Sequence, residues 1–267
     1  MPQLATNSNQ LADELLYALS NETPVSEFSR ARFLRQARSQ LDQDRKHAML
    51  ALAYTVSGDR EQARSEALSA VEVMSQEATM AVALLTLHIN GFHEEVLRVR
   101  GEHEEILKHP GYSIGFAISL HCLPIIKELR FMKDTCLKTK ATGQAKGMLT
   151  MCEHYISKVD EAKEHFDIQD SDIDTVTRFA AEIADQFSGI TMRSPTFERS
   201  PLGECFNLIY NVQVTEEFEH DLFDLNLGLA DKLIEADLDS LPMIARFTRI
   251  AGSPKGLAES LDMSGGH

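Results

Sequence analysis

AMLALAYTVSGDREQARSEALSAVEVMS, residues 48–75, reads as two short amphipathic helices joined by a Gly-Asp turn. Leu50, Ala51 and Tyr54 share one face of the first helix, and Ala63, Ala67 and Ala70 share one face of the second. Small residues are needed wherever two helix axes approach closely, and a large aromatic fills the gap beside them. Gly58 supplies the backbone freedom that ends the first helix, and Asp59 caps the second. Such a hairpin cannot bury its own apolar face, so it implies helical neighbours.

The pattern resembles one tetratricopeptide-repeat unit, spanning about residues 44–75. Leu50, Ala51, Tyr54, Ala63 and Ala70 fall at that family's usual positions. The sequence departs from it at His47, where the family prefers an aromatic, at Ala67, where it prefers a larger side chain, and at Ser75, where it often has proline. The resemblance implies stacked helical hairpins, an α-solenoid whose inner helices line a groove for another protein. On that basis the inner helices are 44–57 and 77–90. The groove-facing residues are then His47, Thr55, Thr86 and Asn90. A second, degenerate hairpin, 77–109, follows at about the family's period of ~34 residues, with His88 where Tyr54 stood.

Toward the N-terminus, Leu11, Leu15, Leu16 and Leu19 form one helical stripe, broken by Asn21 to Pro24. Ser26 or Thr23 starts the next helix, whose predicted apolar face is Phe28, Ala31, Leu34, Ala37 and Leu41. Toward the C-terminus, 109–115 breaks the pattern, and helices are expected over about 125–138 and 148–165. Ser171 is the expected N-cap of a helix over 175–187, with Asp174 at its third helical position. Residues 188–204, holding Gly189, Pro195, Pro201 and Gly203, have no helical period and read as a linker or long loop. FNLIYNVQV, 206–214, fits a strand or a buried helix equally, and 216–236 is a helix with Phe218, Leu222, Leu225, Leu229 and Leu233 on one face. MIARFTRI, 243–250, fits a short strand or a last helix.

Charge divides the chain unevenly. The net charge is −15 over 267 residues, and from Asp160 onward there are 22 Asp and Glu against 8 Lys and Arg. Phosphate binding needs clustered Lys and Arg, so this region argues against direct nucleic-acid binding. It fits a basic protein partner through Glu216, Glu217 and Glu219, or a solvated surface. Arg30, Arg32, Arg35, Arg38, Arg45 and Lys46 offer complementary charge near the N-terminus. No apolar run approaches the ~18 residues of a membrane span. MPQLATNSNQ lacks the features of a signal peptide. Cys122, Cys136, Cys152 and Cys205 show no CxxC spacing, so reduced buried thiols in a cytoplasmic protein are expected.

The motifs for chemistry are incomplete. Glu217 and His220 have ExxH spacing, but a di-iron bundle needs a second such pair. Asp170, Asp172 and Asp174 begin like a calcium loop, yet its glycine and glutamate positions hold Thr175 and Ala181. His93 and His103 each precede two glutamates without forming HExxH and read as solvated helix surface. No phosphate loop, GxGxxG or GxSxG is present, and Cys122 with His154 has no nucleophile context.

The reading is therefore a mainly α chain of stacked helical hairpins, with a C-terminal helical or small α+β region. Residues 1–165 form the repeat-like part and 166–267 the acidic part. The expected role is a cytoplasmic protein-binding scaffold or adaptor without metal or cofactor. The alternatives are an enzyme with a dispersed site in the C-terminal region and a structural subunit of a homo-oligomer.

Overall fold

The computed structural model describes residues 3–20, 25–74, 77–103, 119–139, 143–187, 190–199, 208–214 and 222–249. The chain is mainly helical. Its described residues fall into two compact units, one up to Phe92 and one from His93 onward. The change in composition near Asp160 falls inside the second unit.

In the first unit the helices are α1 (Gln3–Ser20), α2 (Glu27–Arg38), α3 (Gln43–Val56), α4 (Arg60–Glu72) and α5 (Glu77–Ile89). Ser26 caps α2, its hydroxyl accepting from the Ser29 N–H at 3.2 Å. Gly58 (φ 75°) turns the chain out of α3, and the Asp59 carboxylate caps α4 by accepting from Gln62 N–H. Ala63, Ala67 and Ala70 are fully buried, which lets the α3 and α4 axes approach.

α3 packs against α1, α2, α4 and α5. Its six residues Ala48–Ala53 are buried all round, so its central turns are sheathed by neighbours. Tyr54, expected in the interior, is half-buried at the end of α3. It packs on the core cluster that includes Leu50, Leu52 and Ala70, and its hydroxyl faces Arg38.

α2 corrects one expectation. Its buried residues are Phe33 and Ala37, whereas Phe28 and Leu41 are 79% and 77% exposed. The apolar face is thus narrower and rotated from the one the spacing suggested. Arg32 lies over the Phe33 ring at 4.8 Å and pairs with Glu14 of α1.

The second unit contains α6 (His93–Glu102), α7 (Ile126–Lys138), α8 (Gln144–His165), α9 (Asp170–Asp185), β1 (Met192–Arg199), β2 (Leu208–Val214), α10 (Leu222–Glu235) and β3 (Met243–Arg249). α9 packs on α6, α7 and α10. The N-cap of α9 is Gln169 rather than Ser171, because Asp172 closes a capping box on the Gln169 N–H at 2.7 Å.

The sheet has order β1-β2-β3, with β1 antiparallel and β3 parallel to β2. Residues 192–199, read from sequence as linker, form β1. Pro195 sits where the register shifts between Arg193 and Thr196, the place a strand tolerates a proline. α10 makes the crossover from β2 to β3. The Asn226 amide of α10 accepts from Phe247 N–H at 2.7 Å and donates to Phe247 C=O at 3.3 Å. It thereby occupies backbone groups of β3 that a further strand would otherwise pair. Gly228 lets α10 approach α9, since a Cβ there would lie 3.1 Å from Ile183.

Candidate functional site

The residues expected to face a groove are placed differently from one another. His47 on α3 is partly exposed, and its Nδ1 lies 2.6 Å from the Glu66 carboxylate of α4. Thr55, also partly exposed, donates to Ala51 C=O and accepts from the Asn90 amide at 2.8 Å. Asn90 is 7% exposed, and its amide also donates to Thr86 C=O at 2.8 Å. Thr86 is fully buried on α5. α5 is apolar on nearly every side and only Val82 and Ile89 of its described side chains from Thr79 to Ile89 escape full burial. A helix of that composition is taken up by packing on all faces. Thr86 and Asn90 therefore lie in the interior. Arg60 Nε donates to Asn90 C=O at 2.9 Å, and Arg60 and Arg64 both stack over Phe92 at 5.2 Å, closing the end of α5. Glu216, Glu217 and Glu219, with His220, lie outside the described residues.

In the second unit the structure assembles polar groups that spacing had not linked. His93, read as surface, is fully buried. Its Nδ1 lies 2.6 Å from Asp185 Oδ1, and its Nε2 accepts from the Met192 N–H at 3.1 Å. That pattern places the ring proton on Nδ1. The same carboxylate accepts from the His93 and Glu94 N–H groups at 2.9 and 2.8 Å, capping α6. Burial, and then Asp185, raises the Glu94 pKa above the ordinary carboxylate value. One residue of α9 thus fixes the start of α6 and, through His93, the start of β1.

Arg100 is buried on α6. It donates to Ser119 and Leu123 C=O at 2.7 and 2.8 Å and pairs with Glu128 at 2.9 Å. Burial lowers its guanidinium pKa against the pull of Glu128. Asp174, expected within its own helix cap, instead accepts from the Ile126 and Lys127 N–H groups at the start of α7. Burial raises its pKa, with those two N–H groups opposing. Arg130 of α7 joins Asp160 of α8 and Asp170 of α9, each at 2.6 Å, and Lys163 reaches Asp170 at 3.0 Å. The Arg130 side chain holds Asp170 below the usual carboxylate range. The aspartates that resembled a calcium loop are thus engaged separately, in an ion pair and two helix caps.

An aromatic and imidazole cluster joins α8 and β1. The Tyr155 ring meets His121, His154 and Phe197 edge-on, with centroids 5.5, 5.8 and 5.8 Å apart. The Tyr155 hydroxyl donates to His121 C=O at 2.9 Å. Burial, with His154 nearby, pushes His121 down to about 4. Cys122, Cys136 and Cys152 are buried. Burial raises the Cys136 thiol and pushes Cys152 up to about 12, the reverse of an activated nucleophile.

Sequence gave no sign of the His93–Asp185 or Arg100 arrangements, because their partners are distant in the chain. The one available signal was an apolar surround: Val96, Leu97 and Val99 lie beside His93 and Arg100 in sequence and are buried with them. No helix among the described residues is long and apolar enough to cross a membrane. No protein-family model, curated protein or solved structure matches the chain.

Proposed function

We propose that the chain is a cytoplasmic protein-binding scaffold built from helical hairpins of the tetratricopeptide type. The observation that carries this reading is the Asn90–Thr55 hydrogen bond. It joins α5 to α3 across 35 residues, close to the ~34-residue period of such repeats, on two helices that pack together. The alanine seam between α3 and α4 supports the same arrangement. Repeat stacks of this kind hold other proteins on their helix surfaces.

Thr86 and Asn90 serve packing in this account. Contact with a partner falls instead to accessible groups: His47 and Thr55 toward the two ends of α3, and Phe28, Arg35 and Arg38 on the outer side of α2. The acidic region from Asp160, including Glu216, Glu217 and Glu219, fits a partner with basic surface. Affinity capture from the native cell, with the full chain as bait, tests the reading. A distinct protein retained in near-stoichiometric amount supports it. Recovery of nothing, or only of further copies of the bait, overturns it.

A further inference from the structure

α10 carries an exposed apolar stripe beside its buried face. Its buried residues Leu225 and Leu229 face inward, and Gly228 meets Ile183 of α9. On the other side Phe223, Leu227 and Ile234 are 65%, 48% and 56% exposed, and Ala230 is exposed between them. Their 4-3-4 spacing puts all four within an arc of about 60° at ~100° per residue, a straight seam about 16 Å long. Apolar seams with this spacing are what a second helix packs against.

The charges beside the seam select the occupant. Asp224, Asp231 and Glu235 are exposed and lie along one edge, about 80–120° around the helix from Phe223. The single cation of α10, Lys232, is drawn to Glu182 of α9 on the inward side. An anionic bilayer or a nucleic acid would be repelled by this edge. A second copy of α10 packed antiparallel would bring the same acidic edge against it.

We propose that this stripe docks an amphipathic helix of a partner protein, apolar on its contact face and basic along the edge that meets Asp224, Asp231 and Glu235. The proposal deepens the scaffold reading but concerns only the second unit. A chain that binds partners solely through its hairpins would fail here and leave that reading standing.

The test uses the full chain and two labelled synthetic helical peptides of about 18 residues, roughly five turns. Both carry leucines at heptad spacing, one flanked by lysines and the other by glutamates. Fluorescence anisotropy should show the lysine peptide binding at least about tenfold more tightly than the glutamate peptide, with the difference shrinking as salt rises. Leu227→Ser with Ile234→Ser, both surface changes, should weaken lysine-peptide binding by about tenfold or more. Replacing Asp224, Asp231 and Glu235 by their amides should remove most of the preference between peptides. Unchanged binding by the serine variant, equal binding of both peptides, or no binding at all overturns the proposal. So does a wild-type dimer in sedimentation that the serine variant converts to monomer, since a second copy then occupies the seam.

Discussion

Asp185→Ala should loosen the second unit at two places far apart in sequence. The carboxylate caps α6 through the His93 and Glu94 N–H groups, and holds the fully buried His93 ring through Nδ1. Loss of a cap costs about 1 kcal/mol. Leaving a buried imidazole N–H without an acceptor costs about 1–3 kcal/mol more. The total is about 2–4 kcal/mol, which at a urea slope of about 2 kcal/mol per molar lowers the unfolding midpoint by about 1–2 M. Circular dichroism reads that shift. Amide exchange locates it: the Met192 N–H, bonded to His93 Nε2, should lose protection along with the first turn of α6. Asp185→Asn keeps an acceptor at the cap and should lose less. A midpoint within about 0.2 M of the wild type, or a Met192 amide as protected as before, would refute the linkage.

The remaining predictions concern other buried polar groups. His121 has its folded pKa near 4 against 6.5 when free, so the unfolded chain takes up the proton first. Its contribution to stability is therefore complete above pH 6.5 and falls as pH drops toward 4, by up to about 3 kcal/mol. His121→Gln should flatten the stability profile in that window, and an unchanged profile would contradict the assignment. Asn226→Leu leaves the Phe247 N–H and C=O of β3 unpaired, costing about 2–4 kcal/mol. It should also promote self-association seen by light scattering. Cys152, pushed up to about 12, should react with a thiol reagent at pH 8 no faster than the chain unfolds. Rapid modification of the native protein would show that the thiol is not held as described.

Local punctuation was readable from sequence. Ser26, Gly58, Asp59 and Gly91 set helix ends through backbone geometry that depends on a few neighbouring residues, and the elements around them form where expected. The strands were harder. β2 and β3 are β-branched enough to suggest strands, but β1 contains Pro195 and gains its place only by pairing with β2. The helical period predicts too wide an apolar face for α2, because Phe28 fits the spacing yet stays 79% exposed. The repeat-like pattern suggested open inner helices. The central turns of α3 are instead enclosed by four neighbours, two of which, α1 and α2, precede the repeat pattern. His93 and Arg100 are charged or polar residues beside the apolar Val96, Leu97 and Val99, and tertiary pairing with Asp185 and Glu128 offsets the cost of their burial.

The proposed scaffold role requires that this chain hold another protein directly. Sedimentation of the purified full chain mixed with a purified protein captured by it in the cell tests that claim. The expected result is a single faster boundary of defined stoichiometry, with a dissociation constant of about 10 μM or tighter. Two independent boundaries at concentrations well above that value, with both proteins folded, would contradict it.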